Sequence, residues 1–125
     1  FRMQPVPGQV CPAYCTASGK YCLAQIEDEA LTEWISKARL VPHTRNTIID
    51  RDALFQEIMR TRAQGYGVAV GELYDTLASV AVPIRNGEKD IIGTLNLNLS
   101  VDRCQSQISE QFISEVQDTL KHFGV

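Results

Sequence analysis

The residues best suited to bind a small molecule are Asn96 and Asn98, which alternate with leucines in the last third of the chain. Successive side chains of a β-strand point to opposite faces, so the two amides share one face with Thr94. Neutral amides with no charge nearby suit a half-buried surface that hydrogen-bonds a small polar ligand. The same alternation is typical of the solvent-facing side of an antiparallel sheet. The pattern therefore predicts either a ligand pocket or an ordinary polar sheet face.

Cysteines are the second group that could do chemistry. Three are close together near the start of the chain and the fourth is far away: Cys11, Cys15, Cys22 and Cys104. The two histidines, His43 and His122, stand alone, and no paired spacing completes a zinc site, so no metal is predicted. Buried, reduced thiols are the favoured interpretation of all four. Oxidation of the three clustered cysteines, if they are exposed and ionised, remains an alternative.

Catalytic motifs are not found. The segment 16–20 (TASGK) lacks the opening glycine and the final Ser or Thr of a phosphate-binding loop. There is no Gly-x-Ser-x-Gly nucleophile elbow. Asp50 and Asp52 are read as residues of a helix N-terminus, where carboxylates are stabilising. We therefore predict neither an enzyme nor a cofactor.

Composition predicts one domain over residues 1–125, with 44% hydrophobic and 22% charged residues. The net charge is −3, and no basic cluster exceeds two neighbours, which disfavours direct nucleic-acid binding by this segment. No apolar run is long enough to span a bilayer and no signal peptide is present, so we expect a cytoplasmic protein. Because the chain begins with Phe1 rather than Met, we expect it to be part of a longer protein.

Periodicity predicts an α+β fold, an antiparallel sheet with helices against it. Thr16 and Asp50 are suitable N-caps, Gly65 is a suitable helix stop, and Asn86-Gly87 indicates a hairpin. The predicted helices are 17–26, 28–38, one from Asp50 to Gly65, and 105–122; the predicted strands are 66–70, 78–84 and 90–99.

Several segments together resemble the effector-binding domain of the IclR family of bacterial transcription regulators. They are CPAYCTASGK (11–20), TIID (47–50), RAQGY (62–66), LASVAVPI (77–84) and IGTLNLN (92–98). Each motif is short, but their order and spacing match the family over nearly the whole chain. The resemblance implies a GAF-like fold with a small-molecule pocket between the sheet and the loops.

The same resemblance implies a set of ligand-binding residues. In the family, backbone amides at the start of a helix hold the effector's carboxylate, and these positions match Ala17 and Ser18. The remaining implied contacts are Ala69, Leu77, Ser79, Asn96 and Asn98. The amide face identified from alternation therefore coincides with the face that the family turns toward its ligand.

Departures from the family pattern indicate the size of the effector. Tyr14 replaces a frequent histidine, Cys15 replaces a small residue, and Ala69 replaces an acidic pocket residue. Loss of that carboxylate is expected to leave a larger and less polar cavity, with Leu77 and Tyr74 as apolar walls. We therefore expect an aromatic or mid-sized organic acid, such as hydroxyphenylpropionate, rather than glyoxylate or pyruvate.

In the family a helix-turn-helix lies N-terminal to this domain. We expect that motif, and the first helix and first two strands of the usual effector domain, to be absent from this chain. A truncated sheet leaves an open edge, so we expect a homodimer or tetramer. The resemblance implies a domain that senses a small organic acid and controls DNA binding allosterically, with DNA contacted only by the missing domain. The alternative is a thiol-based redox-sensing or dimerisation module without a ligand.

Overall fold

The computed structural model describes residues 10–102 and 110–122. Over these residues it shows four α-helices and one three-stranded antiparallel sheet, which confirms the predicted α+β class. After a 3-10 turn at Ala13–Cys15, the elements are α1 (Ala17–Leu23), α2 (Asp28–Lys37), α3 (Arg51–Gln64), β1 (Gly67–Val70), β2 (Leu77–Arg85), β3 (Ile91–Ser100) and α4 (Glu110–His122). Residues 105–109 of the last predicted helix, and Cys104, lie outside the described residues.

The helix ends are formed by the residues that the sequence indicates. The side chain of Asp50 accepts a hydrogen bond from the Ala53 N–H at 2.8 Å, and Gly65 ends α3 with a left-handed φ of 84°. Helix α1 is shorter than predicted and ends at Leu23. The chain then forms turn hydrogen bonds, such as that from Ile26 N–H to the Leu23 carbonyl at 3.4 Å, before α2 begins.

The hairpin between β2 and β3 lies where the sequence predicts it, and its loop includes a residue in the left-handed conformation. The left-handed conformation falls on Lys89, with a φ of 67°, and not on Gly87. The side-chain oxygen of Asn86 accepts from the backbone N–H groups of Glu88 and Asp90 at 2.9 and 3.0 Å. This asparagine therefore closes a longer loop from within, instead of forming a two-residue turn.

The two faces of the sheet carry different helices. Val80 and Val82 pack with Ile113 of α4 on one face. On the other face, Ala17 of α1 packs against Ala69 and Ala81. A separate core joins α1 to α2 and α3 through buried side chains that include Leu23, Leu31, Ile35, Leu54 and Ile58. No helix in the described part of the chain is long and apolar enough to cross a bilayer.

Candidate functional site

The polar side chains predicted to bind a ligand do share one face of the sheet. Ser79 lies opposite Asn98, and Ala81 lies opposite Asn96, so all four side chains project to the same side. We call Ser79, Asn96 and Asn98 the amide face. The Ser79 hydroxyl donates to the Asn98 side-chain oxygen at 2.8 Å. Because Asn98 uses its oxygen for this bond, its NH₂ group can donate to another acceptor.

Burial of the amide face differs from the expectation. Asn96 and Asn98 are exposed in this chain, whereas Ser79 is half-buried. The physical reason is position, because β3 forms one edge of the sheet and α1 lies over β1 and β2. The expected half-buried pocket is therefore an open surface over the described residues.

Helix α1 begins beside this amide face. Ala17 is buried against Ala69 and Ala81, which share a face with Ser79. The first N–H groups of a helix have no partner within it. The Thr16 hydroxyl accepts one of these bonds, from Gly19 N–H at 3.3 Å. The amides of Ala17 and Ser18 precede it, so they are suited to an external acceptor next to the polar side chains.

Contact between α1 and the sheet is unusually close. A Cβ atom on Gly67 would lie 2.1 Å from the Ala17 carbonyl oxygen, far inside van der Waals distance. Ala69 is only 5% exposed under Ala17. Its small size thus allows α1 to pack against β1, and its methyl group is covered by the helix rather than open to solvent. Leu77 is half-buried on the same face. The sequence places Gly67 in a predicted strand, but it does not indicate which helix packs against that strand, so the importance of this glycine was not predicted.

Lys20 is a charged residue in the interior of the domain. Its side chain is fully buried and pairs with a carboxylate. Its Nζ donates to Glu72 Oε2 at 2.6 Å, to the Val68 carbonyl at 3.0 Å and to Glu57 Oε2 at 3.4 Å. The positive charge is therefore neutralised inside the domain and does not face the amides.

The pKa values of the two carboxyl groups around Lys20, Glu72 and Glu57, are shifted in opposite directions. Burial raises the pKa of Glu72, and the charge of Lys20 offsets this only in part. Burial acts the same way on Glu57, but Lys20 and Arg60 outweigh it, so the pKa of Glu57 lies below its usual value. Glu72 Oε1 is buried and has no hydrogen-bond partner among the described residues. Glu57 thus accepts hydrogen bonds from Lys20 and Arg60, whereas the carboxylate of Glu72 is hydrogen-bonded by Lys20 at one oxygen only.

A protein-family model for the C-terminal domain of bacterial transcriptional regulator IclR matches residues 1–123. The chain belongs to the IclR family. It is 37% identical over 103 residues to the Pca regulon regulatory protein of Pseudomonas putida, covering 82% of the chain and 35% of that relative. It is 31% identical over 100 residues to the p-hydroxybenzoate hydroxylase transcriptional activator of Acinetobacter baylyi, covering 80% of the chain and 37% of the relative. The chain therefore spans about a third of these relatives' length.

Solved structures of IclR-family proteins have the same fold. Transcriptional regulator YaiJ matches with a TM-score of 0.83 and 24% identity, over 96% of this chain and 67% of the other. The inducer-binding domain of the Acinetobacter transcription factor PobR, solved as a double mutant with 3-hydroxybenzoic acid, matches with a TM-score of 0.81 and 25% identity, over 100% of this chain and 74% of the other. Both relatives are named for the regulation of genes, and neither is named as an enzyme.

Tyr14, which replaces a histidine frequent in the IclR family, has a structural role. Its ring is buried, and its hydroxyl donates to the Val41 carbonyl and accepts from the Val41 N–H, both at 2.9 Å. The same hydroxyl lies 3.2 Å from His43 Nε2. Tyr14 therefore connects the turn before α1 to the segment after α2. Among residues 10–102 and 110–122, no cluster of three potential metal ligands occurs.

The clustered cysteines of this IclR-family domain differ in exposure, which corrects the expectation that all are buried. Cys15 is buried, whereas Cys11 and Cys22 are exposed. Burial raises the pKa of the Cys15 thiol to about 11, and the negative charge of Glu72 adds to this effect. At neutral pH Cys15 is therefore a protonated core residue, and any thiol chemistry in the described part of the chain belongs to Cys11 and Cys22.

We expect iodoacetamide at pH 7.5 to label Cys15 at least 100-fold more slowly than Cys22. The rise in pKa from 9.0 to about 11 alone lowers the thiolate fraction about 100-fold. Peptide mass spectrometry of timed samples measures both rates in one experiment, and labelling in urea provides the unfolded reference. Equal rates in the folded protein would refute the buried, protonated state of Cys15 and favour thiol sensing at this residue.

Proposed function

We propose that this chain is the small-molecule-sensing domain of an IclR-type transcription regulator and that it binds an organic acid, aromatic by preference. The acid binds where the first turn of α1 meets the amide face. The observation that carries the proposal is the common side of the sheet: Ala17 packs against Ala81, which lies directly opposite Asn96. Donors from the helix and from the sheet thus converge on one surface.

The donors proposed to bind the acid are uncharged. Its carboxylate accepts hydrogen bonds from the backbone N–H groups of Ala17 and Ser18 and from the side-chain NH₂ of Asn98. Lys20 does not take part, because it is fully buried against Glu72. Recognition by neutral donors avoids the cost of desolvating a cation and suits an acid whose apolar body contributes to affinity. Asn96 extends the polar surface, and the half-buried Leu77 provides its apolar part, whereas Ala69 lies beneath α1 and supports the surface from below.

Two relatives support an aromatic ligand. The Acinetobacter baylyi relative is named for activating p-hydroxybenzoate hydroxylase, and the Acinetobacter PobR domain was solved with 3-hydroxybenzoic acid. We transfer this ligand class, a hydroxylated aromatic acid, to the present chain. It agrees with the absence of an acidic side chain at Ala69.

Control of DNA binding follows from linkage. An effector that binds one arrangement of the regulator more tightly shifts the population toward that arrangement, and the coupling energy is reciprocal between the sites. In this proposal the regulator is a cytoplasmic homodimer or tetramer, and a separate N-terminal domain contacts DNA. The present domain supplies the effector-dependent part of the equilibrium.

Isothermal titration calorimetry of the chain with matched acids tests the ligand class. The panel is 3-hydroxybenzoate, 4-hydroxybenzoate, hydroxyphenylpropionate and glyoxylate, each titrated under the same buffer and salt conditions. We expect saturable binding of at least one aromatic acid and at least tenfold weaker binding of glyoxylate. Tight binding of glyoxylate without binding of any aromatic acid would refute the proposal.

We expect Asn98→Leu to weaken the binding of the preferred acid by about 10- to 100-fold, because one charge-assisted hydrogen bond worth about 1.5–3 kcal/mol is lost. Folding should be little affected, since Asn98 is exposed and leucine is tolerated in a strand. Gln56→Leu, which removes an amide from the exposed side of α3, is the matched control and should bind normally. Calorimetry and urea unfolding of both variants separate affinity from stability. Unchanged affinity in Asn98→Leu would remove this residue from the site.

A further inference from the structure

A buried ion-pair cluster joins three parts of the domain that are distant in sequence. Lys20 of α1 contacts Glu72, which follows β1, at 2.6 Å, and Glu57 of α3 at 3.4 Å. The three side chains are 0%, 8% and 15% exposed. Burial of charges is expensive, and well-packed apolar residues often stabilise a protein as much or more. The cluster therefore calls for an explanation beyond stability.

The directional bonds of the cluster are made to strand β1. Lys20 Nζ donates to the Val68 carbonyl at 3.0 Å, and its ion-pair partner Glu72 follows β1 by two residues. Val68 belongs to β1, an edge strand of the described sheet. A hydrogen bond fixes distance and angle more narrowly than the alanine contacts beneath α1 do. The bonds of Lys20 therefore restrain where α1 lies along β1.

The backbone around Glu72 is held in place by hydrogen bonds to other parts of the domain. The Glu72 backbone carbonyl accepts a hydrogen bond from the Thr47 hydroxyl at 2.6 Å. The preceding Gly71 donates its N–H to the Leu77 carbonyl at 2.9 Å, which ties the segment to β2. Lys20, in turn, lies about one helical turn after Ala17, so the bonds that its side chain makes restrain the first turn of α1.

We propose that Lys20 and Glu72 are positioning residues, which hold the first turn of α1 in register with the amide face and thereby set the affinity of that surface for an acid. The pair does not touch the ligand. Its effect on affinity rests on the proposed function, whereas its effect on the position of α1 does not. In this proposal, the residues that bind the acid are different from the residues that position the binding groups.

The first test uses the unliganded protein and Glu72→Gln, which preserves the side-chain shape and removes its charge. We expect backbone amide hydrogen exchange at Lys20 and Tyr21 to become at least tenfold faster, with little change in α2 and α4. Glu33→Gln is the matched control, because it removes the charge from an exposed pair with Lys37, at 2.7 Å. Unchanged exchange in α1 of Glu72→Gln would overturn the proposal.

The second test measures the affinity for 3-hydroxybenzoate by calorimetry in the same two variants. We expect about tenfold weaker binding in Glu72→Gln and no change in Glu33→Gln. Faster exchange with unaltered affinity would overturn the positioning role. If the unaltered chain binds none of the panel acids, the proposed function fails, and the exchange result still decides whether the pair holds α1.

The double variant Lys20→Met with Glu72→Leu provides an independent check that does not depend on a buried charge. Its apolar pair restores packing but has no hydrogen bonds to β1. We expect it to fold, and also to show faster exchange in α1 and weaker binding of 3-hydroxybenzoate. Unchanged amide exchange in α1 and unchanged affinity for 3-hydroxybenzoate in this folded variant would show that Lys20 and Glu72 only fill space in the core. That result would overturn the proposal.

Discussion

Gly67→Ala is expected to destabilise the domain by about 3 kcal/mol or more, although it adds a single methyl group. The new Cβ would lie 2.1 Å from the Ala17 carbonyl oxygen and 2.9 Å from its carbonyl carbon. Neither neighbour is a flexible side chain, so relief requires α1 to move away from β1. That movement would also separate Ala17 from Ala69 and Ala81 and expose apolar surface. Urea unfolding followed by circular dichroism measures the loss.

Gly93→Ala is the matched control for this substitution. Gly93 is also a strand glycine, and apart from Gly93 and its two chain neighbours no heavy atom of the described residues lies within 4 Å of a Cβ placed there. We expect it to be neutral or to stabilise the domain by up to about 1 kcal/mol, because alanine loses less backbone entropy on folding than glycine. If Gly67→Ala were as stable as Gly93→Ala, the close contact between α1 and β1 would not exist in solution.

Local signals in the sequence were sufficient for most of the fold. The Asp50 cap and the Gly65 stop delimit α3 correctly, since both act through hydrogen bonds and dihedral angles within a few residues. Strand alternation placed Asn96 and Asn98 on one face for the same reason. Motif order then indicated the family, which the match over residues 1–123 confirms.

Properties that depend on distant residues were not predictable in the same way. The partners of Lys20 lie 37 and 52 positions away in the sequence, so nothing near the lysine shows that it is buried. Exposure of Cys22 and of Asn98 depends on which elements cover them, and this is decided by the packing of α1 on β1 and β2. Position on a face follows from local geometry, whereas burial follows from tertiary structure.

The second large effect is expected for Lys20→Met, which should cost about 3–5 kcal/mol, because it leaves Glu72 buried without its counter-ion. Methionine fills a similar volume, so the loss reflects charge more than packing. The matched control is Lys37→Met, which removes a cation from an exposed pair at 2.7 Å and should cost less than about 1 kcal/mol. Urea unfolding of both variants at pH 7.5 provides the comparison.

A dependence on pH distinguishes charge from packing as the cause. In Lys20→Met, burial raises the pKa of Glu72 and no cation from Lys20 opposes it. A carboxyl whose pKa is raised in the folded state stabilises that state below the unfolded pKa, and this contribution is lost as the pH rises through the folded pKa. The deficit of Lys20→Met relative to the unaltered chain should therefore be smaller at pH 5 than at pH 7.5. Equal deficits at both pH values would indicate a packing defect.

Adding Glu72→Leu to Lys20→Met should recover most of the stability, although it removes a second polar group. The double variant no longer buries an uncompensated charge, and Glu57 retains its contact with Arg60 at 2.6 Å. A double-mutant cycle with Glu72→Leu alone then gives the coupling energy between the two positions, which we expect to be favourable and larger than about 1 kcal/mol. A coupling near zero would mean that the cost of Lys20→Met arises from its contacts with Val68 and Glu57, and not from Glu72.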